Sequence, residues 1–170
     1  MDSRLERLQA AIASATRDMT PAELECRHAG KWSVAEILEH LYLTYTGTIK
    51  GFQRCLEAGK PLATAPTLAQ RARIGVVLGL RHLPRGAEAP AQVRPRGISN
   101  DKIQAEIGGR IAAMDEIIAQ CEARYGTHQR LLNHMLLGPL SGSQWRKFHL
   151  VHGMHHLKQI EQLRRTFVET

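Results

Sequence analysis

Acidic residues, aromatic rings, paired cysteines and long apolar runs are all scarce in this chain, and each shortage narrows what it can be. Cys26, Cys55 and Cys121 are odd in number and far apart, with no Cys-x-x-Cys pair. Neither a disulfide framework nor a cysteine-based zinc site is expected. Aromatics make up 5% of the residues against 43% hydrophobic in all. Leu, Ile and Ala carry the apolar content, which suits packed helices better than a β-sandwich. The longest apolar run, Ile74 to Leu80, is seven residues with glycines at 75 and 79, far short of a membrane span. Asp2, Arg4, Glu6 and Arg7 stand at the start with no apolar block, so no secretory signal is expected. The expectation is a reduced, cytoplasmic protein with no membrane partner. The 170 residues are enough for one domain, 1–170, with a substantial core.

The formal net charge is +7, and part of the surplus comes from arginines between Arg71 and Arg96, where acids are few. No helix-turn-helix signature, zinc-finger spacing or aromatic-studded basic strand accompanies them, so nucleic acid is not the expected partner. A solvated loop, or a basic rim attracting an anionic small molecule, accounts for the charge.

Helix signals organise the rest. Ser3 and Glu6 have capping-box spacing before Leu5, Leu8, Ile12 and Ala15, and Thr20-Pro21-Ala22-Glu23 opens a short turn that Gly30 interrupts. Ser33 and Glu36 cap a helix from Val34 to about Ala58, with Val34, Leu38, Leu41, Tyr45, Phe52 and Leu56 on its apolar face. His40 lies at the edge of that face and shares a stripe with Glu36, Thr44, Gly47 and Gly51. Small residues there fit either close helix packing or an open pocket. Leu68 to His82 reads as a weaker helix, broken by Gly75 and Gly79. Pro84, Gly86, Pro90, Pro95 and Gly97 mark a long irregular connection. Asn100 to Arg124 is a helix with Ile103, Ile107, Ile111, Met114 and Ile118 on one face, ended by Tyr125-Gly126. Leu131 to Leu140 reads as a loop carrying His134. The count of four substantial helices and one weaker segment predicts an all-α antiparallel bundle.

The last helix, Ser141 to Phe167, opens with a Ser141/Gln144 capping box and continues with Trp145, Phe148, Ile160, Leu163 and Phe167 at helical spacing. In the middle of that apolar stripe stand His149, His152, His155, His156 and Gln159. His152 and His156 lie roughly 40° apart and one turn distant, so their rings can point at a common atom. Bundles build metal sites from side chains of facing helices. A third nitrogen would complete a three-ligand site with one position left for water or substrate; His40, at the edge of the core face of its long amphipathic helix, is the best candidate, and His134 competes from its loop. Imidazoles suit zinc, nickel, iron or copper. No Glu follows His152, so the pair is not the His-Glu-x-x-His of zinc proteases. The alternative is a buried histidine cluster without a metal.

The run Lys31 to Leu41, KWSVAEILEHL, resembles the Trp-Ser-x-x-Glu-Ile-Leu-x-His-Leu signature of the DinB-like superfamily, bacterial four-helix proteins that include bacillithiol and mycothiol transferases. Trp32, Ser33, Glu36, Ile37, Leu38, His40 and Leu41 fall on its fixed positions. His134, Gly138-Pro139-Leu140-Ser141, Trp145, His152 and His155-His156-Leu157-Lys158-Gln159-Ile160 resemble the second half of that family. The resemblance implies a four-helix bundle of up-down-down-up topology with one divalent metal, zinc or nickel first, with iron, manganese or copper as further options. It places the family's three-histidine site on His40, His152 and His156. The activity it implies is a thiol S-transferase type, activating a low-molecular-weight thiol against an electrophilic small-molecule substrate, in a chain that can form a homodimer. A metal-dependent hydrolase and a non-enzymatic metal-binding or interaction bundle are the alternatives. His155, His134 and Glu36 are the further candidate catalytic residues, Glu36 chiefly as a helix cap and as a general base only secondarily. Gln159 is expected to fix the helix packing or a ligand's orientation rather than to do chemistry, and His28, His82 and His128 to be surface residues. The Arg71 to Arg96 stretch matches no substrate-binding segment of the family.

Overall fold

A computed structural model describes residues 1–28, 30–81, 83 and 88–168, the side chains of 167 and 168 excepted. His82, Pro84 and Gly86 of the connection, and the Phe167 side chain, lie outside the described residues. The chain is mostly helical. Its elements are α1 (Ser3–Thr16), α2 (Pro21–Glu25), α3 (Val34–Glu57), α4 (Leu68–Ile74), α5 (Asn100–Tyr125), a hairpin of β1 (Arg130–His134) and β2 (Gly138–Ser141), and α6 (Gly142–Val168).

Capping chemistry sets most of the helix starts. Ser33 and Glu36 exchange side-chain-to-backbone hydrogen bonds at the head of α3, as do Thr20 and Glu23 at α2 and Ser141 and Gln144 at α6. Each box satisfies two backbone donors that a helix end leaves without partners. The expected Ser3/Glu6 box is not the cap of α1. The Asp2 side chain accepts from the N–H of Arg4 and caps the helix instead. A carboxylate there also meets the favourable end of the helix dipole and holds the Arg4 guanidinium. Gly126, at φ +102, closes α5 with a backbone that an L side chain rarely adopts.

Two expectations are corrected. The region from Leu131 to Leu140 is not a loop but an antiparallel hairpin, with Leu132 opposite Leu140 and His134 opposite Gly138. The fold is therefore not purely helical. The helix expected from Leu68 to His82 is α-helical only to Ile74, then widens into a π-helical turn over Gly75–Gly79. Two glycines within five residues weaken the α-helical preference there, because a residue without a Cβ leaves its backbone the most freedom.

Directions follow from who touches whom. Tyr42 meets Glu106 and Cys55 meets Tyr125, so α3 and α5 run parallel. Arg4 meets Ser143 and Ala15 meets Arg164, so α1 and α6 run parallel. Tyr45 meets His149 and Phe52 meets Trp145, so α3 and α6 run antiparallel. Parallel neighbours need a connection that climbs back the length of a helix, about 36 Å for the 24 residues of α3. This is the physical reason for the long stretch between α3 and α5.

The core is the set of faces that helical spacing predicts. Leu5, Leu8 and Ile12 of α1, Ile103, Ile107, Ile111, Met114 and Ile118 of α5, and Trp145, Phe148, Ile160 and Leu163 of α6 are all buried. On α3 the expected face is buried except for Leu56, which is half-buried. Each such side chain contributes roughly 1.5–3 kcal/mol by leaving water. A charged cluster is sunk among them. Arg146 on α6 bridges Asp115 at 2.6 Å and Glu122 at 2.7 Å on α5, and Asp115 also accepts the backbone N–H of Asp2.

Candidate metal centre

Antiparallel packing of α3 on α6 carries His40 to the turn of α6 that holds His152 and His156. His152 Nε2 lies 3.2 Å from His40 Nε2 and 3.1 Å from His156 Nε2. One nitrogen from each of the three rings falls within 4.8 Å of the others. Among the described residues this is the grouping of His, Cys, Asp or Glu that can hold an ion. For a metal about 2.0–2.1 Å from each imidazole nitrogen, the tetrahedral edge is about 3.3 Å, close to the two spacings observed.

The far side of each ring decides what its inner nitrogen can do. His40 Nδ1 faces the carbonyl of Val93 at 2.8 Å. A carbonyl only accepts, so Nδ1 carries the proton and Nε2 presents a lone pair. His156 Nδ1 donates in the same way to Gln159 Oε1 at 2.8 Å. The Gln159 amide nitrogen lies 3.4 Å from His155 Nε2, which agrees with that orientation. His152 Nε2 therefore faces two lone pairs. Its own Nδ1 is buried with no hydrogen-bond partner. One N–H cannot satisfy two acceptors well, whereas a cation satisfies all three nitrogens. Outer partners that fix ring orientation are what metal-ligating histidines ordinarily have.

Burial keeps the rings neutral. Desolvation lowers the pKa of His40 against the opposing hydrogen bond to Val93, pushes His156 down to about 4, and holds His152 well below its usual range. Phe148 lies flat against His152, with centroids 5.3 Å apart and planes at 12°. Trp32 packs beside His40.

The three rings open onto a cleft of about 1230 Å³ between α3 and α6. Its α3 wall is the stripe Glu36, His40, Thr44, Gly47, Gly51 and Arg54. The two readings of the glycines divide. A Cβ on Gly51 would meet Leu132 Cδ2 at 2.5 Å, so that glycine serves close packing; at Gly47 nothing lies within 4 Å, and that glycine leaves space.

The other candidates separate. His155 and His134 both line the cleft. Glu36 lines it too, but its carboxylate is taken by the backbone N–H of Ser33 and by the Arg27 guanidinium. Burial works against ionisation there, and these partners still bring its pKa below the usual carboxylate range. It is a helix cap joined to an ion pair. Gln159 accepts from His156 Nδ1 and so steadies one of the three rings. His28 is half-buried, bonded to Thr166 at 2.9 Å, and lines the cleft, contrary to the expectation of a surface residue. His128 is exposed. His149 is fully buried against Thr48 and Tyr45, away from the shared nitrogens.

Sequence reasoning missed the grip of the connection on this site. Glu39, 2% exposed, accepts the N–H groups of Arg96 and Gly97 at 2.8 and 3.1 Å, next to the residue whose ring holds Val93. A backbone carbonyl leaves no mark in a sequence. A Glu beside the expected ligand was the only available hint.

The profile of a family described as a protein of unknown function (DUF1569) matches residues 1–163. No curated protein and no solved structure matches the chain.

Proposed function

We propose, for a chain that belongs to the DUF1569 family, that His40, His152 and His156 hold one divalent transition metal, zinc or nickel first, for thiol S-transferase-type chemistry on a small molecule. The observation that carries this reading is the tautomer pattern: two outer nitrogens donate to Val93 and Gln159, so two lone pairs converge with His152 Nε2. An ion held by three neutral imidazoles keeps its full charge and, when bound, lowers the pKa of a low-molecular-weight thiol to give a thiolate at neutral pH. The protein's own part is to exclude water and fix geometry. Phe148 and Trp32 shield the rings, Val93 and Gln159 hold their outer nitrogens, and the cleft along Thr44 and Gly47 gives the organic part of the thiol room. The run of helix directions supports a DinB-like bundle and a single domain.

Elemental analysis of untagged protein tests the metal, beside His40→Ala and a His152→Ala/His156→Ala pair. The expected result is near one equivalent in the parent and none in the variants, with helical circular dichroism retained. Metal-loaded protein that transfers no thiol in a screen of thiols and electrophiles would count against the transferase. No metal after reconstitution with zinc and nickel would end the reading.

A further inference from the structure

Across one aromatic ring from the three histidines stands a fourth imidazole whose proton is placed by the backbone. The N–H groups of Leu136 and Leu137, at the tip of the hairpin, both lie 3.2 Å from His134 Nδ1 and donate to it. A nitrogen that accepts two N–H groups carries no proton of its own, so the ring's N–H sits on Nε2. The ring is seated against Phe148 at 4.2 Å and Trp145 at 5.3 Å between centroids. Phe148 is the ring that stacks on His152. His134 lines the same cleft, and among the described residues no acceptor meets its Nε2.

The cleft therefore has two polar ends joined by an apolar floor. One end is the set of nitrogens from His40, His152 and His156. The other is a neutral donor of fixed tautomer, with Arg54 and Asn133 lining the cleft beside the hairpin. Phe148, Trp145 and Leu132 lie between, opposite the space left by Gly47.

We propose that His134 is a substrate-binding residue, whose Nε2–H receives a carbonyl or carboxylate oxygen set a few bonds from the metal-directed thiol. The thiol end rests on the function proposed above; the oxygen end is the addition. The substrate class is a small thiol acid or thiol amide rather than a plain alkanethiol. A neutral imidazole donor accepts either oxygen, and Arg54 favours the charged one.

The whole chain loaded with cobalt(II) tests this through the thiolate-to-cobalt absorption band, titrated with propanethiol, mercaptopropionate and mercaptopropionamide. The acid and the amide are expected to bind about tenfold tighter than propanethiol, the gain of one hydrogen bond to a donor on a half-buried ring. His134→Phe is expected to remove that advantage and leave propanethiol unchanged, and His134→Gln, which keeps an N–H donor, to restore part of it. A lead of the acid alone would name the carboxylate as the ligand and Arg54 as its partner. Equal affinities for the three probes in the parent, or an advantage that survives in His134→Phe, would overturn the proposal and leave the metal centre standing. No band with any thiol would remove the thiol reading and this proposal with it. Nitrogen NMR of the metal-free protein gives an independent reading. A His134 proton on Nε2 supports the assignment, and a proton on Nδ1 overturns it whatever the metal does.

Discussion

Glu39 and His40 are consecutive residues on α3, and both bind the backbone of the returning connection: the carboxylate takes the N–H groups of Arg96 and Gly97, and the imidazole donates to Val93. The strap that covers the site is thus held by the same turn of helix that supplies one of the three nitrogens. Glu39→Ala frees both N–H groups and loosens Val93 from His40. Zinc affinity, measured by competition with a chelator, is expected to fall about 10–100-fold, the usual loss when an outer partner of a ligand is removed. Amide exchange at Arg96 and Gly97 should speed up in the same variant. Unchanged affinity with faster exchange would show that the strap does not position His40.

Arg146 has a different kind of leverage. It is sunk between Asp115 and Glu122, all three side chains largely out of water. Arg146→Ala strands two buried carboxylates, and a loss of about 3–5 kcal/mol is expected in urea unfolding. Arg146→Met with Asp115→Asn and Glu122→Gln removes the charges together and is expected to recover most of that loss.

Acid should weaken the metal-free protein through the buried imidazoles. Burial, with a contribution from nearby His134, pushes His149 down from 6.5 to about 3, and burial pushes His134 to about 4. Below pH 6.5 the unfolded chain takes up protons at these sites that the folded chain refuses. Their neutral burial therefore costs nothing above 6.5, and stability falls as pH drops from there toward 4 and 3. The slope is about 1.4 kcal/mol per pH unit for each such histidine. His149→Leu should flatten the curve between pH 6 and 4, read from urea midpoints across pH. A slope unchanged by that substitution would mean that His149 is protonated when folded.

The two glycines of the α3 stripe predict opposite outcomes. Gly47→Ala meets open space and is expected to raise stability by about 0.5–1 kcal/mol, as replacing a mid-helix glycine does. Gly51→Ala presses on Leu132 and should lose that gain. Gly47→Leu should obstruct the cleft, weakening thiol binding while the metal content stays at the parent's level. Thermal melts and metal analysis of the three variants separate these effects.

What could be read from the sequence was whatever repeats at helical spacing or sits within a few residues of its partner. The Ile103 to Ile118 face, the boxes at Ser33 and Ser141, and the pairing of His152 with His156 across one turn are of this kind. His40 stands out by its place at the edge of the α3 core face, with His134 as a competitor, and the resemblance favours it; 112 residues separate it from His152, and spacing says nothing at that range. The hairpin was missed because its strands have five and four residues and the adjacent Leu131 and Leu132 of β1 do not alternate. The Asp2 cap was missed because Ser3 offers an equally good motif one position later. Val93 acts through its carbonyl, and Arg146 through carboxylates 24 and 31 residues away; neither leaves a local pattern.

The double grip at Glu39 and His40 makes the connection a poor cassette for transplantation. Val93 and Arg96 are pinned to neighbouring side chains of one helix, so the few residues between them act as a gauge of fixed length. One residue inserted between Val93 and Arg96 would throw the two anchors out of step, whereas the same insertion before Ala91 leaves their spacing intact. Exchanging this stretch for a foreign loop therefore means carrying its anchor points along, or redesigning the ring that they steady.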